Sequence, residues 1–189
     1  MMRVRRRRDP TKYLEMAVLP ILVFGDPRLE AANQPVEGFG EELRSLVDDL
    51  FETGWKAPGL GLAAPQVGVN LRIATIDTSV GNDPDARMIL ANPEIIASRG
   101  EVSLEEGCLS FPGLFTTIQR PTTLRVRAQD ESGRWSEFDA EGLLAQAICH
   151  EVDHLDGILL VHHLRGMKRR LFMRRVAKMR KLGVWQSTA

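Results

Sequence analysis

Residues His150, Glu151, Val152, Asp153 and His154 form the pattern H-E-x-x-H, and no other feature constrains the fold as much. The pattern has chemical meaning only on an α-helix. Residues four apart there are only about 40° apart around the axis, so His150 and His154 share a face and their imidazoles can grip one cation. Glu151 lies at the edge of that face, within reach of a water held by the cation. Leu143, Leu144, Ala147, Ile148, Val152 and Leu155 recur at helical spacing around the motif, and Gly157 reads as the helix stop. The plainer alternative is a helix with two ordinary histidines and surface acids. The metal reading requires a further ligand from elsewhere in the chain.

Downstream, that ligand is hard to find. Gly157 matches the metzincin string H-E-x-x-H-x-x-G-x-x-H, but its last position holds Leu160. His162 and His163 come slightly too late, and no acid follows Asp156. Upstream, Cys108 sits in "LEEGCLSFPG", between acidic residues and a Gly/Pro turn. A thiolate is a strong ligand for a borderline or soft divalent metal; the ordinary alternative is a small buried hydrophobe. Cys149 is a poorer choice. It lies about 100° around the helix from His150 and reads as a core residue behind the metal face.

The stretch "GLGLAAPQ", Gly59 to Gln66, literally matches G-x-G-x-x-A, but a dinucleotide site requires it to follow a strand and open a helix. Here a helix precedes it, and Pro65 and Gly68 spoil the helix that it would have to open. The better reading is a close-approach loop, in which glycines let the backbone press on a ligand and Gln66 projects an amide. A plain connecting loop is the alternative.

Around these motifs, Phe39, Leu43, Leu46, Val47, Leu50 and Phe51 mark a helix over about Gly38 to Thr53, and residues 54–68 read as a Gly/Pro-rich loop. Leu71–Thr78 and Arg87–Ser98 read as strands, the second broken near Asn92-Pro93. "TTLRVRAQD" and "RWSEFDA" form a hairpin across "ESG". A last basic helix is expected over about Gly166 to Leu182. Strands in the middle with helices at both ends predict an α+β fold, and 189 residues suit one domain with a real core.

The net charge is zero, but it is unevenly spread. Five Arg fall in the first eight residues, and nine Lys or Arg lie between Arg165 and Lys181, while residues 16–164 hold 23 acids against ten bases. Basic ends on an acidic body suit a polyanionic partner such as RNA, or are simply solvated tails. Two cysteines imply no disulfide framework and fit a reducing cytosol. No apolar run approaches the roughly 18 residues that span a bilayer. The N-terminal stretch is not expected to be a signal peptide, because Asp9 and Glu15 separate its basic and apolar parts and Pro20 interrupts the latter. Met16 is a second candidate start.

In this order, "GLGLAAPQ", "EGCLS" and "HEVDH" resemble the three signature blocks of the peptide deformylase family, G-x-G-x-A-A-x-Q, E-G-C-x-S and H-E-x-x-H, with no substitution at a defining position. The likeness runs from about Met16 to Gly166. It implies a single compact α+β domain, with antiparallel or mixed sheets around a central helix carrying H-E-x-x-H, plus a C-terminal basic helix. Residues 1–15 would be a disordered basic extension, 16–166 the catalytic domain and 167–189 the basic helix and tail. It further implies that Cys108, His150 and His154 bind one Fe²⁺, for which Ni²⁺, Co²⁺ or Zn²⁺ can substitute. Glu151 would be general base and then acid as metal-bound hydroxide attacks the formyl group of N-formyl-methionyl nascent peptides, releasing formate. Gln66 and the Leu109 N–H would stabilise the oxyanion, and the backbone of Gly61 and its neighbours would hold the peptide. Gly59, Leu60, Leu104, Leu143 and Ala147 would line the methionine pocket. By the same resemblance the enzyme is cytoplasmic, and its basic C-terminal helix docks on the ribosome near the exit tunnel. Neither a membrane nor DNA is an expected partner. Three departures stand out: Cys149 replaces the Gln that many relatives carry, no basic residue follows E-G-C-L-S until Arg120, and Gln146 makes the pocket rim more polar.

Overall fold

The computed structural model describes residues 17–185; the basic extension expected over 1–15 lies outside them. The first long element is helix α1 (Glu41–Lys56), with Glu41 and Glu42 in its first turn and Lys56 in its last, each sign complementing the helix dipole. Leu43, Val47, Leu50 and Phe51 are its buried stripe. It begins and ends three residues later than the sequence periodicity suggests, because Gly40 is still extended, at φ −101° and ψ −163°, and serves as the cap.

The stretch 54–68, expected as loop throughout, is more ordered than that. α1 continues to Lys56, strand β1 occupies Gly61–Ala63, and a single 3-10 turn covers Ala64–Val67. Glycine and proline content hid a short strand whose pairing partner is distant in sequence. Strands β2 (Ile73–Asp77) and β3 (Arg87–Arg99) follow. β3 is bent where the sequence suggested a break: its register with the neighbouring strand slips between Ala91 and Glu94, and Asn92 adopts φ 50°. The Asn92 amide fits this bulge, with Oδ1 accepting from Val36 N–H and Nδ2 donating to Val36 O and Gln129 Oε1.

Next come β4 (Val102–Gly107) and β5 (Phe115–Arg120), a hairpin that sequence reasoning did not find. The expected hairpin is present as β6 (Thr123–Gln129) and β7 (Trp135–Glu141). β7 runs directly into helix α2 (Gly142–Leu155). Gly157, at φ 70°, follows α2 as its left-handed stop. Helix α3 (Gly166–Lys181) ends the ordered elements close to its expected bounds.

Two antiparallel sheets result, one in the order β1-β2-β3-β6-β7 and the other β4-β5. α2 packs across the larger sheet against β1, β2, β6 and β7. Ile148, Cys149 and Val152 of α2 join Leu124, Val126 and Ala140 in one core cluster, so the apolar core takes one side of α2 and leaves the other to His150, Glu151 and His154. α1 covers β1 and β2 through a second cluster. A third gathers Leu29, Phe111, Leu159 and Leu160 with Phe172 and Val176 of α3. α3 is thus packed into the fold by its apolar side. Among the described residues, no helix is long and apolar enough to cross a membrane.

Candidate metal centre and active-site cavity

The opposite face of α2 carries His150, half-buried, and His154, buried, with ring centroids 5.0 Å apart. The turn between β4 and β5 brings Cys108 to them, and its Sγ lies 3.2 Å from His154 Nε2. The donor atoms of Cys108, His150 and His154 all fall within 4.8 Å of one another. Ligands around a tetrahedral divalent ion are about 3.5 Å apart given typical metal–nitrogen and metal–sulfur bond lengths, so the trio fits such an ion. One thiolate and two imidazoles also suit a borderline metal. Burial holds His154 well below the usual histidine range, which favours the neutral imidazole that ligates a metal. His162 and His163 are not part of this group: His162 Nε2 pairs with Glu30 at 3.1 Å and His163 Nε2 with Asp153 at 2.7 Å.

Behind His150 lies a charged network that the motifs alone did not disclose. Glu106, on β4, reaches His150 Nδ1 at 3.2 Å, a carboxylate–histidine contact that fixes the ring and leaves Nε2 for a metal. Arg120, at the end of β5, donates from Nε and Nη2 to the Glu106 carboxylate at 2.7 and 2.9 Å, and from Nη1 to Asp153 at 2.7 Å. Arg120 and Glu106 are nearly sealed, at 5% and 3% exposure. Burial raises the Glu106 carboxyl, but hydrogen bonds from Arg120 and His150 outweigh it and bring the pKa down to about 2. Arg120, the first basic residue after E-G-C-L-S, is therefore not a substrate contact. It is committed inside the protein, tying the hairpin that carries Cys108 to the helix that carries the histidines.

Glu151 is buried against β1. A Cβ added to Gly61 would sit 2.6 Å from Glu151 Oε1, so only glycine lets the carboxylate lie there. Burial pushes the Glu151 carboxyl up to about 7. Its Oε2 and His154 Nδ1 are the only buried side-chain polar atoms among the described residues without a hydrogen-bond partner. Opposite, Gln66 accepts from Ala63 N–H through Oε1 at 2.9 Å, which turns its Nε2 toward Ser110 Oγ at 3.3 Å and Cys108 Sγ at 3.8 Å. The amide N–H is thereby aimed at the donor group. Cys149 faces the core as expected, and burial lifts its thiol to about 11.

These groups open onto a cavity of about 640 Å³. Gly59, Leu60, Gly61, Gln66, Leu109, Leu143 and Ala147 all border it, together with Cys108, His150 and Glu151. Leu104 does not; it lies half-buried on β4, next to Glu105 and Glu106, which do. Sequence reasoning missed Phe111, Pro112, Leu114 and Phe115, which also line the cavity. The apolar run after Cys108 was their only trace.

The arrangement has well-characterised counterparts. Residues 18–170 match the family model described as polypeptide deformylase. A peptide deformylase of Acidobacterium capsulatum is 46% identical over 170 residues, covering 90% of this chain and all of that one. A crystal structure of a peptide deformylase from Legionella pneumophila superposes with a TM-score of 0.83 at 42% identity, over 89% of this chain and 98% of that one. The enzyme from Thermotoga maritima does so at 0.74 and 38%, over 79% and 99%. With its three signature blocks assembled around one cavity and these likenesses spanning nearly its whole length, the chain belongs to the polypeptide deformylase family of enzymes.

Proposed function

We propose that the protein removes the formyl group from N-formyl-methionyl nascent peptides, releasing formate and a free methionine amine. One observation carries the reading: a Cys-His-His donor group, an unpartnered buried carboxylate and two open strand edges converge on a single cavity, which Cys108, His150 and Glu151 line. β1 is an outer strand of its sheet, and β4 has only β5 beside it. Gly59–Gly61 and Glu105–Gly107 both border the cavity, so an extended peptide laid between them would be held by its backbone. Its first side chain would enter the wall formed by Leu143 and Ala147.

A divalent ion held by Cys108, His150 and His154, Fe²⁺ by family resemblance with Ni²⁺, Co²⁺ or Zn²⁺ able to substitute, supplies a Lewis acid that makes water nucleophilic near neutral pH. The chain's own groups do the rest. Glu151 Oε2 takes the proton of the attacking water and returns it to the departing amine nitrogen. Gln66 Nε2 and the Leu109 N–H donate to the formyl oxygen as it gains charge. Glu106 keeps the His150 ring in place throughout. An endopeptidase reading would need His162 or His163 as a ligand, and both are paired elsewhere.

We place the enzyme in the cytoplasm and at the ribosome. Arg170, Arg174, Arg175, Lys178 and Lys181 of α3 are exposed, and no acid follows Asp156 in the chain. Arg180 is not available, because it donates to Phe24 O and stacks on Trp185. The remaining cations suit ribosomal RNA. Because α3 also buries Phe172 and Val176, charge reversal at Arg174, Arg175 and Lys178 tests docking better than truncation does. Loss of ribosome co-sedimentation is expected, and unchanged co-sedimentation refutes it.

The central test is formate release from formyl-Met-Ala-Ser by anaerobically purified protein of measured metal content, with Glu151→Ala as control. Full activity in the variant overturns the mechanism. Cys108→Ser separates the two readings: a deformylase loses metal and activity, whereas an endopeptidase using His162 or His163 keeps both.

A further inference from the structure

The side of α2 that borders the cavity reads Leu143, Gln146, Ala147, His150, the i, i+3, i+4, i+7 stripe of one helical face. Two members are apolar and one belongs to the donor group. Gln146 is the exception, a primary amide in the wall that receives the substrate's first side chain. The other polar side chains of the lining have evident roles or face solvent. Gln66, Glu106, Cys108, His150 and Glu151 make up the reacting centre, and Lys56 and Glu105 are exposed.

Gln146 is half-buried and held across the cavity wall, with Nε2 donating to the Glu105 carbonyl of β4 at 3.4 Å. A primary amide has two N–H donors and a carbonyl oxygen with two lone pairs. That single long bond leaves one N–H and the oxygen to be satisfied by water or by an occupant. A methionine thioether is a weak acceptor and displaces the water without replacing its bonds, which costs affinity. Methionine sulfoxide has the same chain with one strongly accepting oxygen on sulfur, and that oxygen can take the free N–H.

We infer that Gln146 is a specificity-determining residue that extends the substrate class to N-formyl peptides whose first residue is methionine sulfoxide. The inference rests on the deformylase reading above and concerns only the side-chain pocket. Oxidation of a formylated peptide before deformylation would then not block its processing.

The test compares kcat/KM for formate release from formyl-Met-Ala-Ser, the corresponding sulfoxide peptide and the norleucine peptide, using the unaltered protein and the Gln146→Met and Gln146→Leu variants. Methionine is nearly isosteric with glutamine, and both replacements favour helix. The sulfoxide-to-methionine ratio is expected to fall about two- to tenfold in both variants, the range of one neutral hydrogen bond. The norleucine-to-methionine ratio, which reports pocket shape alone, is expected to stay within about twofold, a bound set well below that loss. An unchanged sulfoxide ratio, or a parallel fall for norleucine, overturns the inference while leaving deformylation intact. No formate from any peptide would remove the deformylase reading, and this inference with it.

Discussion

Replacing Arg120 by leucine tests whether the buried charge network positions the metal donors. The guanidinium makes three charge-assisted contacts of 2.7, 2.9 and 2.7 Å, and neither it nor Glu106 meets appreciable solvent. Leucine strands the Glu106 carboxylate in the interior, and removing one partner of a buried pair costs about 3–5 kcal/mol. For a chain of this length each kcal/mol lowers Tm by about 2–4 °C, so a fall of about 6–20 °C is expected by calorimetry of the metal-loaded protein. The double variant Glu106→Gln with Arg120→Met separates stability from positioning. It leaves no unpaired charge on β4 or β5, so much of the lost stability is expected to return. Its weakened hold on His150 Nδ1 is not repaired, so metal affinity is expected to stay about 10–100-fold down, as for other outer partners of a ligating histidine. Competition with a chromophoric chelator reads this directly. If Arg120→Leu loses under about 1 kcal/mol, or the double variant binds metal like the unaltered protein, the network is not what orients His150.

Other substitutions probe the remaining groups. Glu151→Gln is expected to retain metal and lose about 10²–10⁴-fold in kcat, the usual contribution of a positioned proton-transfer group. Gly61→Ala puts a methyl 2.6 Å from Glu151 Oε1; displacing that carboxylate by even 1 Å is expected to lower kcat/KM roughly 10²-fold while circular dichroism stays native. The two cysteines should behave oppositely: Cys108→Ala loses bound metal by elemental analysis, whereas Cys149→Ala keeps it and costs about 1 kcal/mol as a core truncation. Asp77 accepts from Trp55 Nε1, Gly81 N–H and the N–H and hydroxyl of Ser79; burial raises its carboxyl, but these bonds outweigh it and hold the pKa below the usual 3.8. Its stabilisation is thus complete above about pH 4 and fades as acid carries the solution through the lower folded value. Urea titrations of Asp77→Ala should accordingly show a deficit of about 1–3 kcal/mol at pH 7 that narrows below pH 4.

Helices α1 and α2 were legible because each writes its burial into a local period, whereas α3 was expected as a basic helix without one. Leu43, Val47 and Leu50, or Ile148, Val152 and Leu155, name the buried face without reference to anything else in the chain. The β6–β7 hairpin was legible for the same reason, with alternation on either side of a turn. β4 was not. Its one fully buried side chain is Glu106, so its inward face carries a charge where a strand pattern requires an apolar residue. Val102 and Leu104 alternate ahead of Glu106, but two apolar residues are too few to mark a strand. What makes Glu106 tolerable inside is Arg120, which arrives only once β5 has paired with β4.

The same distinction separates the parts of the site that sequence disclosed from those it did not. His150, His154 and the proposed acid–base carboxylate of Glu151 lie within about one helical turn, so their relation is fixed by helix geometry. Cys108 was one candidate among several until the family resemblance singled it out. The reason for Gly61 is remote in sequence: it is glycine because a carboxylate 90 positions later lies against its α-carbon. A glycine-rich loop thus looks generic in one dimension although Gly61 is specific in three. Its neighbour Gly59 obeys a similar constraint, since a Cβ there would meet Leu109 Cδ1 at 2.8 Å. Both glycines let the chain at β1 approach the two segments that hold Glu151 and Cys108, and in the proposed reaction that closeness would bring a formamide on the strand edge to donor group and carboxylate at once.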